Sequence, residues 1–370
     1  MFKLRLNEEL FLFYQFLFLI LIFFIIPSFL QLPFRILSVL GFTVWYLIAP
    51  TFLRYRIKFI LFITLIPVII LHKLYLKTFD FSLLFAMLLS LPLLRNNTLN
   101  IKFSKRRIKQ VRVLLSVCLV VMFLYLLFNR FEGRPNLTYE INQSGAYLFI
   151  FFILSNVFKF SLGRYFVIIA SFFVLSRLLI LSIVLFYFLS FVKKYLNYII
   201  CKFKYYYIFI FMNLLFLLFS GWYVVNMLGK ISQGGNDSSR LVNVNDGSNY
   251  LRLKTNFDVI LALCTRDDDR LFYDGYGDIA NSIDYQNRYS IMPHNEFVKS
   301  IAQFGFVLTI LFIFVSMKNF VDVYSPNNIE YIIPIIVYSL ILWVKFTIVP
   351  SLEMILILFV LRNTKINNQC

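Results

Sequence analysis

The chain has 370 residues, of which 60% are hydrophobic and only 15% are charged. Soluble domains carry about a quarter charged residues, so this composition excludes an ordinary soluble protein and indicates that most of the chain faces lipid. The 36 Lys and Arg residues outnumber the 18 Asp and Glu residues. Much of this excess lies in short loops between apolar stretches, where the positive-inside rule places the cytoplasm. Nucleic acid is therefore not expected as a partner.

The apolar stretches predict an all-α fold, because lipid offers no hydrogen-bond partner for unpaired backbone groups. A span needs about 20 apolar residues, and about 12 stretches fit that rule, which predicts a polytopic helical bundle forming a single membrane domain over 1–370. They lie at roughly 10–27, 34–53, 59–76, 79–94, 113–130, 145–160, 163–176, 177–193, 205–226, 297–317, 331–348 and 350–362. Single helices or re-entrant pieces are alternatives for 163–193 and for 331–362.

Alternate connections carry the Lys and Arg residues, which predicts that both termini are cytoplasmic. The opposite side then receives a first extracytoplasmic loop at 129–144 and a long extracytoplasmic loop at 226–296. More than half of the 18 acidic residues lie in the long loop. A connection of this length is either disordered or functional. The apolar run at 257–263 favours partial order and predicts a helix packed at the membrane surface.

No metal or cofactor is expected from the sequence. The acidic run Asp267–Asp269 stands between two arginines and lacks the spaced oxygen ligands of a calcium loop, so it is interpreted as a solvated charge run. No zinc motif is present. Gly275 and Gly277 formally fit a dinucleotide fingerprint, but outside a βαβ unit they indicate a tight turn.

The candidate chemistry lies where the long loop re-enters the bundle. Pro293 predicts a helix start, which would place His294 and Asn295 in the exposed first turn of the next span. A helix N-terminus disfavours imidazolium, so we expect a neutral His294 that is basic near pH 7 and can accept a proton from a sugar hydroxyl. The alternative is a histidine that only caps the helix.

Two arginines complete this pattern. Arg177 interrupts an apolar stretch on the same predicted side, and Arg252 lies in the long loop. Guanidinium groups suit phosphate, and an ionisable residue close to the hydrocarbon is a functional candidate. A snorkelling Arg177 and a solvated Arg252 are the alternatives.

The order of these residues resembles the O-antigen polymerase and ligase family of membrane glycosyltransferases. The resemblance is carried by Ser176-Arg177, Arg252, the Gly275-x-Gly277 turn, His294-Asn295 and Gly305. It implies that His294, Arg177 and Arg252 are catalytic. The residues then expected to bind substrate are Asn295, Arg240, Arg288, Gly275 and Gly277. The chain departs from the family in lacking the tryptophan that often follows the loop arginine, where Phe257 stands instead.

The resemblance implies a surface polysaccharide polymerase of the bacterial plasma (inner) membrane. Its substrate would be a polyprenyl (undecaprenyl) diphosphate-linked oligosaccharide, joined to others by metal-independent glycosyl transfer on the outer face. A chain-length regulator and a flippase of the same pathway are implied as partners. Two alternatives stay open: a ligase that transfers polymer to an acceptor, and a flippase or transporter of the same lipid-linked glycan, which would not be an enzyme.

Overall fold

The part of the chain that the structure describes is predominantly helical. The computed structural model describes residues 8–48, 56–94, 101, 103–131, 134–137, 141–200, 205–227, 247–324, 328–341 and 345–364. A 3-10 turn lies at Ser28–Leu30, and β1 (Arg130–Phe131) pairs with β2 (Arg134–Pro135) in the first predicted loop. The helices are α1 (Glu8–Phe24), α2 (Gln31–Ile48), α3 (Arg56–Tyr75), α4 (Phe81–Leu94), α5 (Lys105–Phe128), α6 (Ile141–Val157), α7 (Ser161–Val174), α8 (Arg177–Ile200), α9 (Tyr205–Met227), α10 (Gly247–Thr265), α11 (Asp269–Phe272), α12 (Ile283–Tyr289), α13 (Glu296–Phe304), α14 (Phe306–Val323), α15 (Ile329–Ile341) and α16 (Leu352–Thr364). The predicted all-α class is confirmed.

Four of the described helices are long and apolar enough to cross a membrane. They are Ser28–Tyr46, Lys105–Phe128, Tyr206–Asn226 and Phe306–Val323. Other apolar helices have 10–17 residues, which is shorter than most spans of a bilayer core. The architecture is compatible with a membrane protein, and the expected count of about 12 spans is not confirmed.

Two pairs of adjacent predicted spans form separate helices, and one predicted span is broken into two helices. The 163–193 region forms α7 and α8, because Leu175 adopts a left-handed φ of 51° that ends α7. The predicted span 297–317 is divided at Gly305, whose φ of 86° separates α13 from α14. In the 331–362 region, α15 and α16 are separated by a non-helical segment described from 345 to 351.

Connections that were predicted to share one side of the membrane contact one another. At the predicted outer end, Lys73 Nζ donates to Phe304 O at 3.3 Å, and the backbone at Gly277 packs against Thr78. At the other end, Asn319 Nδ2 donates to Leu93 O at 2.9 Å. The remaining contacts at that end join Arg112 to Phe158 O, Lys193 to Glu330, and Arg107 to Glu9. The bundle therefore has two distinct polar ends joined by apolar helices.

The described part of the long loop is ordered. Residues 247–296 fold into α10, α11 and α12, and α10 packs against α9 and α13. A hydrophobic core separate from that of the bundle joins these helices, and its buried members are Val259, Ala262, Leu271, Tyr276, Ile279, Tyr285, Tyr289, Val298, Ile301 and Ala302. The helix predicted around 257–263 is confirmed as part of α10. The long loop is thus a small folded layer seated on α13.

Candidate functional site

The segment that carries His294 leads into α13. The helix begins at Glu296, and Asn295 is its N-cap, since Asn295 Oδ1 accepts from the backbone N–H of Phe297 at 2.8 Å and of Val298 at 3.1 Å. Asn295 is fully buried. The expectation of His294 and Asn295 in an exposed first helical turn was wrong. The capping amide satisfies the first N–H groups of α13 and holds both residues ahead of the helix, with Asn295 buried and His294 half-buried.

A residue that the sequence interpretation missed holds this segment in place. Asn256, on α10, accepts through its Oδ1 from the backbone N–H of His294 at 3.1 Å and of Asn295 at 3.3 Å. Asn256 is fully buried. It stands four residues after Arg252, so both lie on one face of α10. The spacing of four was visible in the sequence, but it identifies Asn256 only when α10 is known to pack on α13.

The electrostatic surroundings of His294 keep its imidazole neutral. Burial, together with the positive charges of Arg252 and Lys299, lowers the pKa of His294 to about 3. These effects place the Arg252 guanidinium in the electrostatic environment of His294. The imidazole is neutral as expected but much less basic, because burial and two cations all disfavour its protonated form.

Three buried polar atoms in this region lack a hydrogen-bond partner within the described residues. They are His294 Nδ1, Asn256 Nδ2 and Asn295 Nδ2. Buried polar groups are paired in the great majority of cases, so three unpaired atoms joined by shared hydrogen bonds are unusual. We call Arg252, Asn256, His294 and Asn295 the His294 cluster.

The first residue of α13 is held by a ring of backbone donors. The Glu296 carboxylate accepts from the N–H groups of Phe346 at 3.2 Å, Thr347 at 3.1 Å, Ile348 at 2.9 Å and Val349 at 3.1 Å. It also accepts from the Thr347 hydroxyl at 2.9 Å. Five donors on one buried carboxylate fix the segment between α15 and α16 against the start of α13. We call this arrangement the Glu296 clamp.

Arg177 reaches the same end of the bundle by an indirect path. It opens α8 directly after Ser176, which lies against Gly145 of α6. The Tyr338 hydroxyl donates to Gly145 O at 3.2 Å, and the Tyr338 ring lies 6.1 Å from that of Phe346, a member of the Glu296 clamp. The charge of Arg252 acts on His294, and this series of contacts links Arg177 to the Glu296 clamp.

Gly275 and Gly277 shape the other end of α13. Their φ angles are 63° and 67°, and the turn presents Tyr276 N to Ala302 O at 2.7 Å and Gly277 N to Gln303 O at 2.9 Å. A Cβ on Gly277 would lie 2.1 Å from a backbone oxygen. The turn expected from the two glycines is confirmed, and its described contacts satisfy the last carbonyls of α13.

The remaining predicted site residues lie elsewhere. Arg240 falls outside the described residues. Arg288 donates to Asp267 O, and its Nε lies 3.7 Å from Asp268 Oδ2. The interpretation of this acidic run as solvated was wrong for Asp268, which is buried.

Two tyrosines explain why Asp268 is buried. Its Oδ2 accepts from the hydroxyl of Tyr276 at 2.6 Å and from that of Tyr289 at 2.8 Å. Burial raises the pKa of both tyrosines, so both hydroxyls stay protonated and donate. These hydrogen bonds replace the water that the carboxylate loses on burial.

Within the described ranges, no group of three or more His, Cys, Asp or Glu residues is placed to hold a metal ion. No family model matches the chain, and no match was found among characterised proteins or solved structures.

Proposed function

We propose that this protein is a membrane glycosyltransferase that joins polyprenyl diphosphate-linked oligosaccharides into a surface polysaccharide. The observation that carries the proposal is the position of the half-buried His294: its backbone N–H donates to Asn256 of α10, four residues after Arg252, and the charge of Arg252 helps to lower the pKa of the imidazole. A proton acceptor next to a fixed cation suits a reaction in which a hydroxyl attacks and a diphosphate departs. The substrate class and the outer face of a bacterial plasma membrane come from the family resemblance.

In the proposed reaction, the oxygen of an acceptor hydroxyl bonds to the anomeric carbon of the donor sugar. The bond between that carbon and the diphosphate oxygen breaks, and the polyprenyl diphosphate leaves with the electron pair. His294 accepts the hydroxyl proton. Arg252 and Arg177 stabilise the departing charge through bidentate hydrogen bonds, which guanidinium forms better than ammonium. Inversion at the anomeric carbon is expected.

The low basicity of His294 fits this reaction if the donor arrives first. A bound diphosphate would offset the positive charges of Arg252 and Lys299, which help to lower the pKa of His294. While the leaving group is in place, the histidine would then regain the part of its basicity that the two cations remove, and burial would still lower its pKa. Asn295 Oδ1 is committed to capping α13, so only its Nδ2 is left to contact substrate.

A second candidate is a flippase for the same lipid-linked glycan. Two observations favour it: the helix break at Gly305 and the non-helical segment 345–351 between α15 and α16. Discontinuous helices are typical of secondary transporters, in which they form the substrate site. A ligase that uses the same donor is the closest enzymatic alternative.

The test is gel analysis of surface polysaccharide in a deletion strain complemented with variants. We expect His294→Ala and Arg252→Ala to insert normally and to lose long polymer, because general acid–base participation contributes about 10²–10⁴-fold to rate. Arg252→Lys should restore polymer only in part. Asn281→Asp, at an exposed residue of the same loop outside the His294 cluster, is the matched control.

The pattern of the products separates the three functions. Loss of a polymerase leaves single repeat units attached to the acceptor, whereas loss of a ligase leaves long polymer on the carrier lipid. Loss of a flippase leaves the lipid-linked unit on the cytoplasmic face. Normal polymer length in His294→Ala would refute the role given to the histidine.

A further inference from the structure

The amide groups of Asn256 and Asn295 have a determined orientation. In each, Oδ1 accepts from two backbone N–H groups, at 3.1 and 3.3 Å for Asn256 and at 2.8 and 3.1 Å for Asn295. Only the carbonyl oxygen of an amide can accept these bonds, so the nitrogen assignment is not ambiguous. Each Nδ2 must therefore be the group that is left over.

These two nitrogens are buried donors without acceptors. Both residues have an exposure of 0%, and neither Nδ2 has a hydrogen-bond partner in the part of the chain that the structure describes. The two residues contact each other, because Asn256 Oδ1 accepts from the backbone N–H of Asn295. Buried donors are paired in the great majority of cases, so two unpaired donors on contacting residues indicate a site for an acceptor.

The charges around these donors select the kind of acceptor. The charged groups that lower the pKa of His294 are the cations Arg252 and Lys299. The carboxylate of Glu296, the first residue of α13, is already bound by the backbone N–H groups of the Glu296 clamp. The N-terminus of α13, a nine-residue helix, adds a partial positive charge at the same place. A donor-rich site of positive potential favours an anion with several oxygens over a neutral hydroxyl.

We propose that Asn256 and Asn295 bind a phosphate oxygen through their Nδ2 groups, beside Arg252, and so form an oxyanion site at the start of α13. This inference rests on the proposed function and deepens it, because it assigns the diphosphate of the lipid-linked donor to particular amide donors. Asn256 is then a binding residue as well as the support of His294.

The test measures binding of inorganic pyrophosphate to the purified full-length protein in nanodiscs of zwitterionic lipid. Asn256→Asp and Asn295→Asp keep the oxygens that accept from the backbone but replace the donor by a negative oxygen. Asn295→Ser keeps a capping oxygen without adding a charge. Asn281→Asp places the same negative charge on an exposed residue of the loop and is the control.

We expect the dissociation constant for pyrophosphate to rise at least tenfold in both aspartate variants and severalfold in Asn295→Ser, with less than a twofold change in Asn281→Asp. Equal affinity in all four variants, or no binding to the wild type, would overturn the oxyanion site. Polymer analysis in cells keeps the two proposals apart. Asparagine-dependent binding in a protein that makes no polymer retains the site and rejects the polymerase. Normal polymerisation without asparagine-dependent binding rejects the site alone.

Discussion

Two residues of the candidate site, Arg252 and Asn256, lie four residues apart on α10. Arg252 and Asn256 share one face, which presents a cation and an amide to the segment before α13. Neither residue would contribute to the site if α10 did not pack against α13. Arg252 was identified from the family resemblance, whereas Asn256 belongs to no motif and lay hidden among the polar residues of a long loop.

At this scale, the charge state of His294 can be measured directly. The chain has 2 histidines, so His72→Gln leaves His294 as the only imidazole signal in an NMR titration. We expect it to stay neutral at pH 5, because burial and two cations lower its pKa to about 3. In Arg252→Ala the pKa should rise but remain below the unperturbed value of about 6.5, since burial is the larger cause. A wild-type midpoint near the unperturbed value would contradict the buried placement.

The same shift predicts the direction of a pH effect on stability. The folded pKa lies below the unfolded pKa, so between about pH 6.5 and 3 the unfolded chain binds a proton that the folded chain does not. The free energy of unfolding should therefore decrease as the pH is lowered through this window, by at most about 1.4 kcal/mol per pH unit. His294→Gln should show a shallower fall over the same range.

At the scale of elements, α13 is the centre of the site. The carboxylate of its first residue, Glu296, lies in the Glu296 clamp, and its last carbonyls accept from the Gly275-x-Gly277 turn. Two members of the His294 cluster, His294 and Asn295, directly precede the helix. All nine of its residues but Phe297 are buried. A short helix fixed at both ends provides a rigid support for the residues before it.

The clamp makes a specific prediction for Glu296→Gln. An amide has one acceptor oxygen in place of two and turns an N–H group toward backbone donors, so we expect a loss of about 1–3 kcal/mol in the free energy of unfolding. Denaturant unfolding in detergent would measure it. Glu9→Gln is the control, because Glu9 pairs with Arg107 in a partly exposed ion pair and should cost at most about 1 kcal/mol. Equal losses in the two variants would contradict the clamp.

The sequence predicted elements better than it predicted their ends. The all-α class, the division near Arg177 and the helix within the long loop were all visible in apolar periodicity and length. The break at Gly305 was missed because residues 297–317 read as one apolar run, and the glycine conformation depends on the contact with residues 273–277. The burial of Asp268 was missed because it depends on hydrogen bonds from Tyr276 and Tyr289, which lie 8 and 21 residues further along the chain. Contacts between separate elements decided each of these features.

At the scale of the whole molecule, the two polar ends of the bundle predict which residues share a side. Cys264 on α10 is exposed, and so is Lys159 between α6 and α7, at the opposite end. In a protein whose other cysteines are replaced by serine, an impermeant maleimide should label Cys264 in intact cells. In a Lys159→Cys variant without Cys264, the maleimide should label the introduced cysteine at position 159 only after the cells are permeabilised. Labelling of both from one side would contradict the orientation.

The proposed glycosyltransferase activity is tested most directly by measuring glycosyl transfer in proteoliposomes that contain the purified protein. The proteoliposomes are supplied with a polyprenyl diphosphate-linked oligosaccharide. We expect the wild type and Asn281→Asp to lengthen the glycan and to release one polyprenyl diphosphate for each bond formed. We expect His294→Ala and Arg252→Ala to do neither at a comparable rate. Absence of transfer by the wild type, or equal transfer by His294→Ala, would contradict the proposed activity.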